Sequence, residues 1–167
     1  MKLENQSDFY LLYKPHSWTS QDLCTVFKKK YKFKKVGHSG TLDPNAEGLM
    51  LIATNKYTKL FDYIDNTHKT YEFEALFGFE SASYDTDSEL VEIESINLES
   101  KLEELNKGIS DLTGNIKQVP PIYSAIKVKG KRLYKYARQE KEVELPIRDV
   151  MVNNFKLISY EENKAKF

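Results

Sequence analysis

The sequence predicts an α+β domain, and three observations carry that prediction. Apolar segments of strand length and amphipathic segments of helix length occur in one chain; they do not alternate in a regular strand–helix–strand rhythm; and no internal repeat or flexible linker divides the 167 residues. A chain of this length can bury roughly 70% of the surface that its unfolded form exposes. Hydrophobic residues at 40% and charged residues at 30% exclude a low-hydrophobicity disordered chain.

The elements follow in order. Phe9 to Tyr13 is apolar and aromatic and is ended by Lys14-Pro15, as suits a short buried strand. Thr19 and Ser20 are good N-caps, and Leu23, Val26, Phe27 and Tyr31 follow at helical spacing. A helix over about 20–31 places Lys28 to Lys30 near its C-terminal end, where cations suit the dipole. Val36 to Gly48 carries three glycines and a proline in 13 residues, which predicts an ordered loop with special backbone angles. Leu49 to Ala53 reads as a fully buried strand, and Asn55 as the cap of a helix carrying Leu60, Phe61 and Ile64. From Thr70 to Gly78 the residues alternate, with Tyr71, Phe73, Ala75 and Phe77 on one face.

Phe79 to Ser88 reads as a polar loop, and Leu98 to Leu112 as an amphipathic helix closed near Gly114. Val119 to Val128 enters a strand through a rigid Pro120-Pro121 turn. Lys129-Gly130-Lys131 turns into a basic helix over about 132–139, and Val150 to Tyr160 is strand-like.

Charge and cysteine content narrow the classes further. The 25 basic and 25 acidic residues cancel, but unevenly. Six lysines and no acid lie between Lys28 and Lys35, and seven basic residues with one acid lie between Lys127 and Lys141. Eight acids with one base lie between Asp85 and Glu104. The basic clusters either solvate the surface or, sharing a face, neutralise phosphates. No apolar run approaches the roughly 20 residues that span a bilayer, and the first six residues lack a signal-peptide core. A soluble, cytoplasmic protein is expected. Cys24 has no partner for a disulfide and lies among apolar helix positions, so it is expected as a small core residue. One cysteine and three scattered histidines give no metal-ligand spacing.

The segment His38-Ser-Gly-Thr-Leu-Asp43-Pro44 is the candidate for chemistry. A carboxylate in a glycine-flanked loop is accessible to a large substrate, Pro44 fixes the chain after it, and Gly37, Gly40 and Gly48 permit sharp turns. Asp43 in that setting is a nucleophile, a general base or an electrostatic stabiliser, or simply a turn former. The loop lacks the Gly-Lys-Ser/Thr ending of a phosphate-binding loop, and no G-x-G-x-x-G occurs. Asp85 and Asp87 lack the Gly and Glu of an EF-hand loop.

Lys35-Val-Gly-His-Ser-Gly-Thr-Leu-Asp-Pro-Asn-Ala-Glu-Gly48 resembles the signature of the TruB family of pseudouridine synthases, which modify uridine-55 in the T-loop of tRNA. Three further segments match in order. Lys14-Pro15 with Thr19-Ser20 resembles K-P-x-G-x-[ST]-S, with Ser17 where glycine is usual. Lys69-Thr-Tyr71, with the stretch Phe77 to Asp87, resembles the tyrosine motif and its T-x-T-x-D continuation. Gln118 to Arg138 resembles the segment that enters the RNA-gripping thumb.

The resemblance implies a mixed, mainly antiparallel sheet flanked by helices, and no cofactor or metal. It implies Asp43 as the nucleophile, Tyr71 stacking on the flipped base and helping to remove the C5 proton, and His38 in opening the T-loop. Lys127, Lys129, Lys131, Arg132, Lys135 and Arg138 become phosphate contacts of a thumb over about 129–155, with the tRNA T-arm as partner. Lys14, Pro15, Gly37 and Gly40 become structural support, and Tyr136 an anchor for the thumb helix.

Family members continue into further strands with a G-T-Y-I-R-like segment, whose arginine pairs with the aspartate, and then an RNA-binding region. Neither occurs in these 167 residues, so residues 1–167 are expected to be a partial, truncated catalytic domain whose own activity is in question. The competing expectations are a non-catalytic tRNA-binding module or RNA chaperone, and a hydrolase pairing Asp43 with Asp85 or Glu47.

Overall fold

The computed structural model describes residues 5–65, 68–122, 126–128, 130–133, 136, 139 and 143–167. The chain forms two compact units, Met1–Thr70 and Tyr71–Phe167. Helices and antiparallel sheets occur together, as expected of an α+β chain, and every pairing among the described strands is antiparallel.

In the first unit, β1 (Phe9–Lys14), β2 (Val36–His38) and β3 (Gly48–Thr54) form a sheet in the order β1-β3-β2. Tyr10, Leu12 and Lys14 alternate with Leu11 and Tyr13 along β1, so one face of the strand turns inward. Helix α1 (Ser20–Tyr31) packs on that face through Leu23, Cys24 and Phe27 against Met50 and Ile52. Thr19 caps α1 as a capping box: its hydroxyl accepts the Asp22 N–H at 3.0 Å, and the Asp22 carboxylate accepts the Thr19 N–H at 3.0 Å. The helix ends at Lys32 in the left-handed region (φ 60°).

Several expectations are corrected here. Val26 is exposed, and Cys24 takes its place in the inward stripe as the expected core residue. The loop 36–48 begins as strand β2, paired Gly37 to Ala53 and His38 to Ile52, because Val36 adds an apolar side chain to the core. β3 is not buried throughout: Leu49 is 70% exposed and stands opposite the exposed Tyr13. Asn55 (φ 48°) does not cap a helix. Its carboxamide oxygen accepts the Lys34 and Lys35 N–H groups at 3.1 Å, and its nitrogen donates to the Gln6 carbonyl at 2.7 Å. The segment Asn55–Tyr63 is a 3-10 helix.

The second unit builds on β4 (Glu74–Leu76), β5 (Phe79–Glu80), β6 (Val91–Glu92), α2 (Leu102–Asp111), β7 (Gly114–Gln118), β8 (Lys127–Val128), β9 (Lys131–Arg132), β10 (Arg148–Val152), β11 (Ser159–Glu161) and β12 (Lys164–Lys166). The pairings are β11-β12-β4, β10-β7, β5-β6 and β8-β9. Leu98, Ala165 and Phe167 form its core, with Phe73, Phe155 and Phe167 packed ring to ring. Gly78 turns the chain between β4 and β5 at φ 83°, where a Cβ would run into the Glu94 carbonyl oxygen.

The alternating stretch 70–78 pairs only over Glu74–Leu76, and Tyr71 is 60% exposed. The polar loop expected from Phe79 opens as β5. A 3-10 turn, Leu98–Lys101, capped by the Asn97 side chain, precedes α2. Gly114 (φ 93°) opens β7 after Leu112 has capped α2. β7 stops before Val119-Pro120-Pro121, since proline has no N–H for a ladder, and the strand expected beyond the prolines is β8 at Lys127–Val128. Arg132 lies in a hairpin strand, not a helix; Leu133 and Tyr136 are helical. The strand-like 150–160 resolves into β10 and β11, and β12 adds a strand after them. Among the described residues, no helix is long and apolar enough to cross a membrane.

Candidate active site

Asp43 is exposed on the connection between β2 and β3, and the backbone on both sides of it is held from the β1–α1 segment. Lys14, at the end of β1, is fully buried. Its ammonium donates to the carbonyls of Trp18 (2.7 Å), Pro15 (3.1 Å) and Pro44 (3.3 Å). A buried cation costs several kcal/mol unless its donors are met; three carbonyls match its three N–H groups. The Pro44 carbonyl also accepts the Ser17 N–H at 2.8 Å. On the other side, the hydroxyl of buried Ser20 accepts the Leu42 N–H at 2.9 Å and donates to the Leu42 carbonyl at 3.1 Å. The Asp43 carbonyl accepts the Ala46 N–H at 3.1 Å, closing the turn. Among the described residues, no cation pairs with the Asp43 carboxylate.

His38 is half-buried at the end of β2, and its Nδ1 lies 2.6 Å from the Gly40 carbonyl oxygen. A carbonyl only accepts, so Nδ1 carries the proton and Nε2 is the open nitrogen in the neutral ring. Gly37 and Gly40 do not use the left-handed region; of the loop's glycines only Gly48 has a positive φ, at 145°. The expected turn-forming role therefore falls to Gly48, while Gly40 supplies the carbonyl that orients His38. Nearby, the Glu47 carboxylate raises the Tyr13 phenol above its ordinary pKa.

Tyr71 belongs to the second unit, two residues before Phe73, whose N–H and carbonyl pair with Phe167 at 3.0 and 2.9 Å. The segment expected as a thumb, about 129–155, begins within the β8–β9 hairpin, which Gly130 turns at φ 79°. Lys127 and Arg132 face each other across it and are exposed. Lys131 is half-buried: its ammonium lies 4.7 Å from the centre of the Tyr136 ring and 2.5 Å from Gln139 Oε1. The Tyr136 hydroxyl donates to the Val128 carbonyl at 3.1 Å, which anchors it. Lys129, Lys135 and Arg138 lie outside the described residues.

Sequence reasoning missed Ser17 and Ser20 as groups that hold the loop. The motif that contains them was visible, but a contact spanning 22 residues was not. Asp85, named for a second carboxylate, accepts from Thr86 N–H at 2.6 Å within its own turn. Among the described residues, no group of three or more His, Cys, Asp or Glu side chains forms a metal-binding cluster.

Comparison with known proteins bears on both units. The model of the N-terminal domain of TruB family pseudouridylate synthases matches residues 28–167. The tRNA pseudouridine synthase B of Bacillus cytotoxicus is 39% identical over 152 residues, 91% of this chain and 50% of that protein. That of Caldanaerobacter subterraneus subsp. tengcongensis is 44% identical over 148 residues, 89% and 52% respectively. The chain thus spans about half the length of the curated relatives it matches. Among solved structures, a chain of a Cbf5-Nop10-Gar1 complex aligns with TM-score 0.58 and 23% identity over 95% of this chain and 37% of its own. A chain of an H/ACA RNP bound to a substrate RNA containing 2'-deoxyuridine aligns with TM-score 0.55 and 20% identity, over 95% and 35%. These two likenesses concern the fold.

Proposed function

The chain belongs to the TruB family of pseudouridylate synthases, and on that premise we propose that it carries the aspartate loop of a tRNA pseudouridine synthase acting on uridine-55 of the T-loop. The observation that carries the reading is the Asp43 loop itself: an exposed carboxylate on a backbone held at Leu42 and at Pro44. Such a group is free to meet a large substrate yet limited in direction, as a nucleophile requires.

The isomerisation needs no oxidant or reductant. The N1–C1′ glycosidic bond breaks, the uracil turns, a C5–C1′ bond forms, the C5 proton leaves and N1 is protonated. Asp43 attacks the target nucleoside and is released in the last step. Tyr71 stacks on the extruded base and assists removal of the C5 proton. His38, with Nε2 open, enters the loop from which the uridine is flipped. Lys14 and Pro15 hold the floor of the site.

RNA binding falls to the hairpin and the residues after it. Lys127 and Arg132 stand as like charges directly opposite each other, an arrangement that destabilises a hairpin and that a phosphate relieves. Lys131, packed on Tyr136, adds a third cation of the described hairpin, and the sequence supplies Lys129, Lys135 and Arg138 as further phosphate contacts.

The test is carbodiimide mapping of pseudouridine in tRNA incubated with the chain or with Asp43→Asn. A reverse-transcription stop at position 55 that appears only with Asp43 is expected. A stop that persists in Asp43→Asn removes the nucleophile assignment. Retention of tRNA with no stop from either form favours the non-catalytic tRNA-binding module instead.

A further inference from the structure

We propose that Ser20 is a positioning residue for Asp43, acting through the peptide groups of Leu42; the inference rests on the reading of Asp43 given above. One buried hydroxyl holds both main-chain polar groups of the residue immediately before Asp43, accepting from its N–H at 2.9 Å and donating to its carbonyl at 3.1 Å. A hydroxyl is one donor and a two-lone-pair acceptor, so it satisfies both groups from a single atom. Alanine in its place leaves both without that partner.

Ser20 is itself fixed. It is the first residue of α1, between the two partners of the Thr19–Asp22 capping box, so the start of the helix sets where the hydroxyl points. The Leu42 side chain packs against the Leu23–Ile52 core, so the peptide is held from two sides. Beyond Asp43, Pro44 restricts the backbone by its ring, and its carbonyl is held by Lys14 and Ser17. Asp43 is therefore the exposed residue between two fixed peptide planes, and Ser20 fixes the one that leads into it. A nucleophile has to sit about 3–3.5 Å from the reacting carbon, and a displacement of about 1 Å costs on the order of a hundredfold.

The test has a structural and a kinetic arm. Hydrogen exchange of the 167-residue chain is compared with Ser20→Ala, and with Thr54→Val as a control. Thr54 is also buried, opposite Val36 in the sheet; among the described residues its hydroxyl accepts the Asp8 N–H at 2.9 Å and donates to the Gln6 carbonyl at 3.1 Å, and it bonds to no residue of 39–47. In Ser20→Ala the Leu42 amide is expected to exchange about tenfold faster, as loss of one hydrogen bond predicts. The α1 amides of Leu23 to Phe27 should change less than about twofold, and Thr54→Val should leave Leu42 unchanged.

In the tritium-release assay described below, Ser20→Ala is expected to lower kcat at least about tenfold with KM for tRNA nearly constant. Thr54→Val retains kcat. Unaltered exchange at Leu42 overturns the proposal, as does a Ser20→Ala enzyme with normal kcat beside an inactive Asp43→Asn. Normal turnover by Asp43→Asn instead removes the parent reading, and the exchange arm still decides whether Ser20 holds the loop. Should Ser20→Ala unfold the first unit, Ser20→Cys leaves no cavity, weakens both bonds and carries the same expectations.

Discussion

Ser17 sits at φ 66°, a left-handed conformation that costs an L-residue about 1–2 kcal/mol and that glycine adopts freely. This gives a physical reason for the glycine usual at that position of the K-P-x-G motif. Ser17→Gly is expected to raise stability by about 0.5–1 kcal/mol in urea unfolding, because among the described residues the Ser17 side chain bonds only to exposed His16. A loss of stability would mean that this contact outweighs the strain. Cys24 makes a second residue-level prediction. Burial pushes its thiol from 9.0 up to about 11. Between those values the unfolded chain has lost the proton while the folded chain keeps it, so the thiol's contribution to stability falls as pH rises through that window. Cys24→Ala is expected to flatten the difference in stability between pH 9 and 11. Parallel alkaline limbs for the two proteins would contradict it. At this scale the sequence was informative where a residue's role is local. Cys24 in an apolar stripe and the Thr19 cap were both legible. The burial of Lys14 was not, because its carbonyl partners at Pro15, Trp18 and Pro44 converge only when β1 and the loop fold together.

Elements with strong periodicity were legible for the same local reason: β1, α1, β3 and α2 lie close to their expected positions. The strands that escaped notice carry little pattern of their own. β7 has one apolar residue, Ile116, and exists because β10 lies beside it with Val150 opposite. β12 is three residues long, yet it lies between β11 and β4, and its Ala165 enters the core. Pairing across such separations is set by the tertiary structure, which no window of sequence contains. The turn at Gly78 offers a test at this scale. Gly78→Ala places a Cβ against the Glu94 carbonyl in a positive-φ conformation, and is expected to cost more than about 2 kcal/mol in urea unfolding. A cost near zero would show that the 79–94 segment shifts freely. The hairpin offers another. Lys127→Gln with Arg132→Gln should weaken binding of a T-arm RNA and reduce the dependence of log K on log salt by about 1.5–2. An unchanged slope would remove these two residues from the phosphate contacts.

At the scale of the whole molecule, zero net charge conceals a division: residues 1–70 carry the six-lysine cluster, and residues 71–167 carry both the acidic run and the basic hairpin. The chain spans about half of its curated relatives, and Asp43 and Tyr71 belong to different units. The motif order along the chain was legible in the sequence, since it is one-dimensional information. The two-unit organisation was not, because no linker composition marks Thr70. The central claim is that the Asp43 loop belongs to a uridine isomerase, and release of tritium to water from tRNA labelled at uracil C5 tests it most directly. The measurement uses the chain, alone or joined to the C-terminal half of the Bacillus cytotoxicus relative, beside Asp43→Asn. The account predicts release that Asp43→Asn abolishes; undiminished release by Asp43→Asn, or none from either form of the chain, would contradict it.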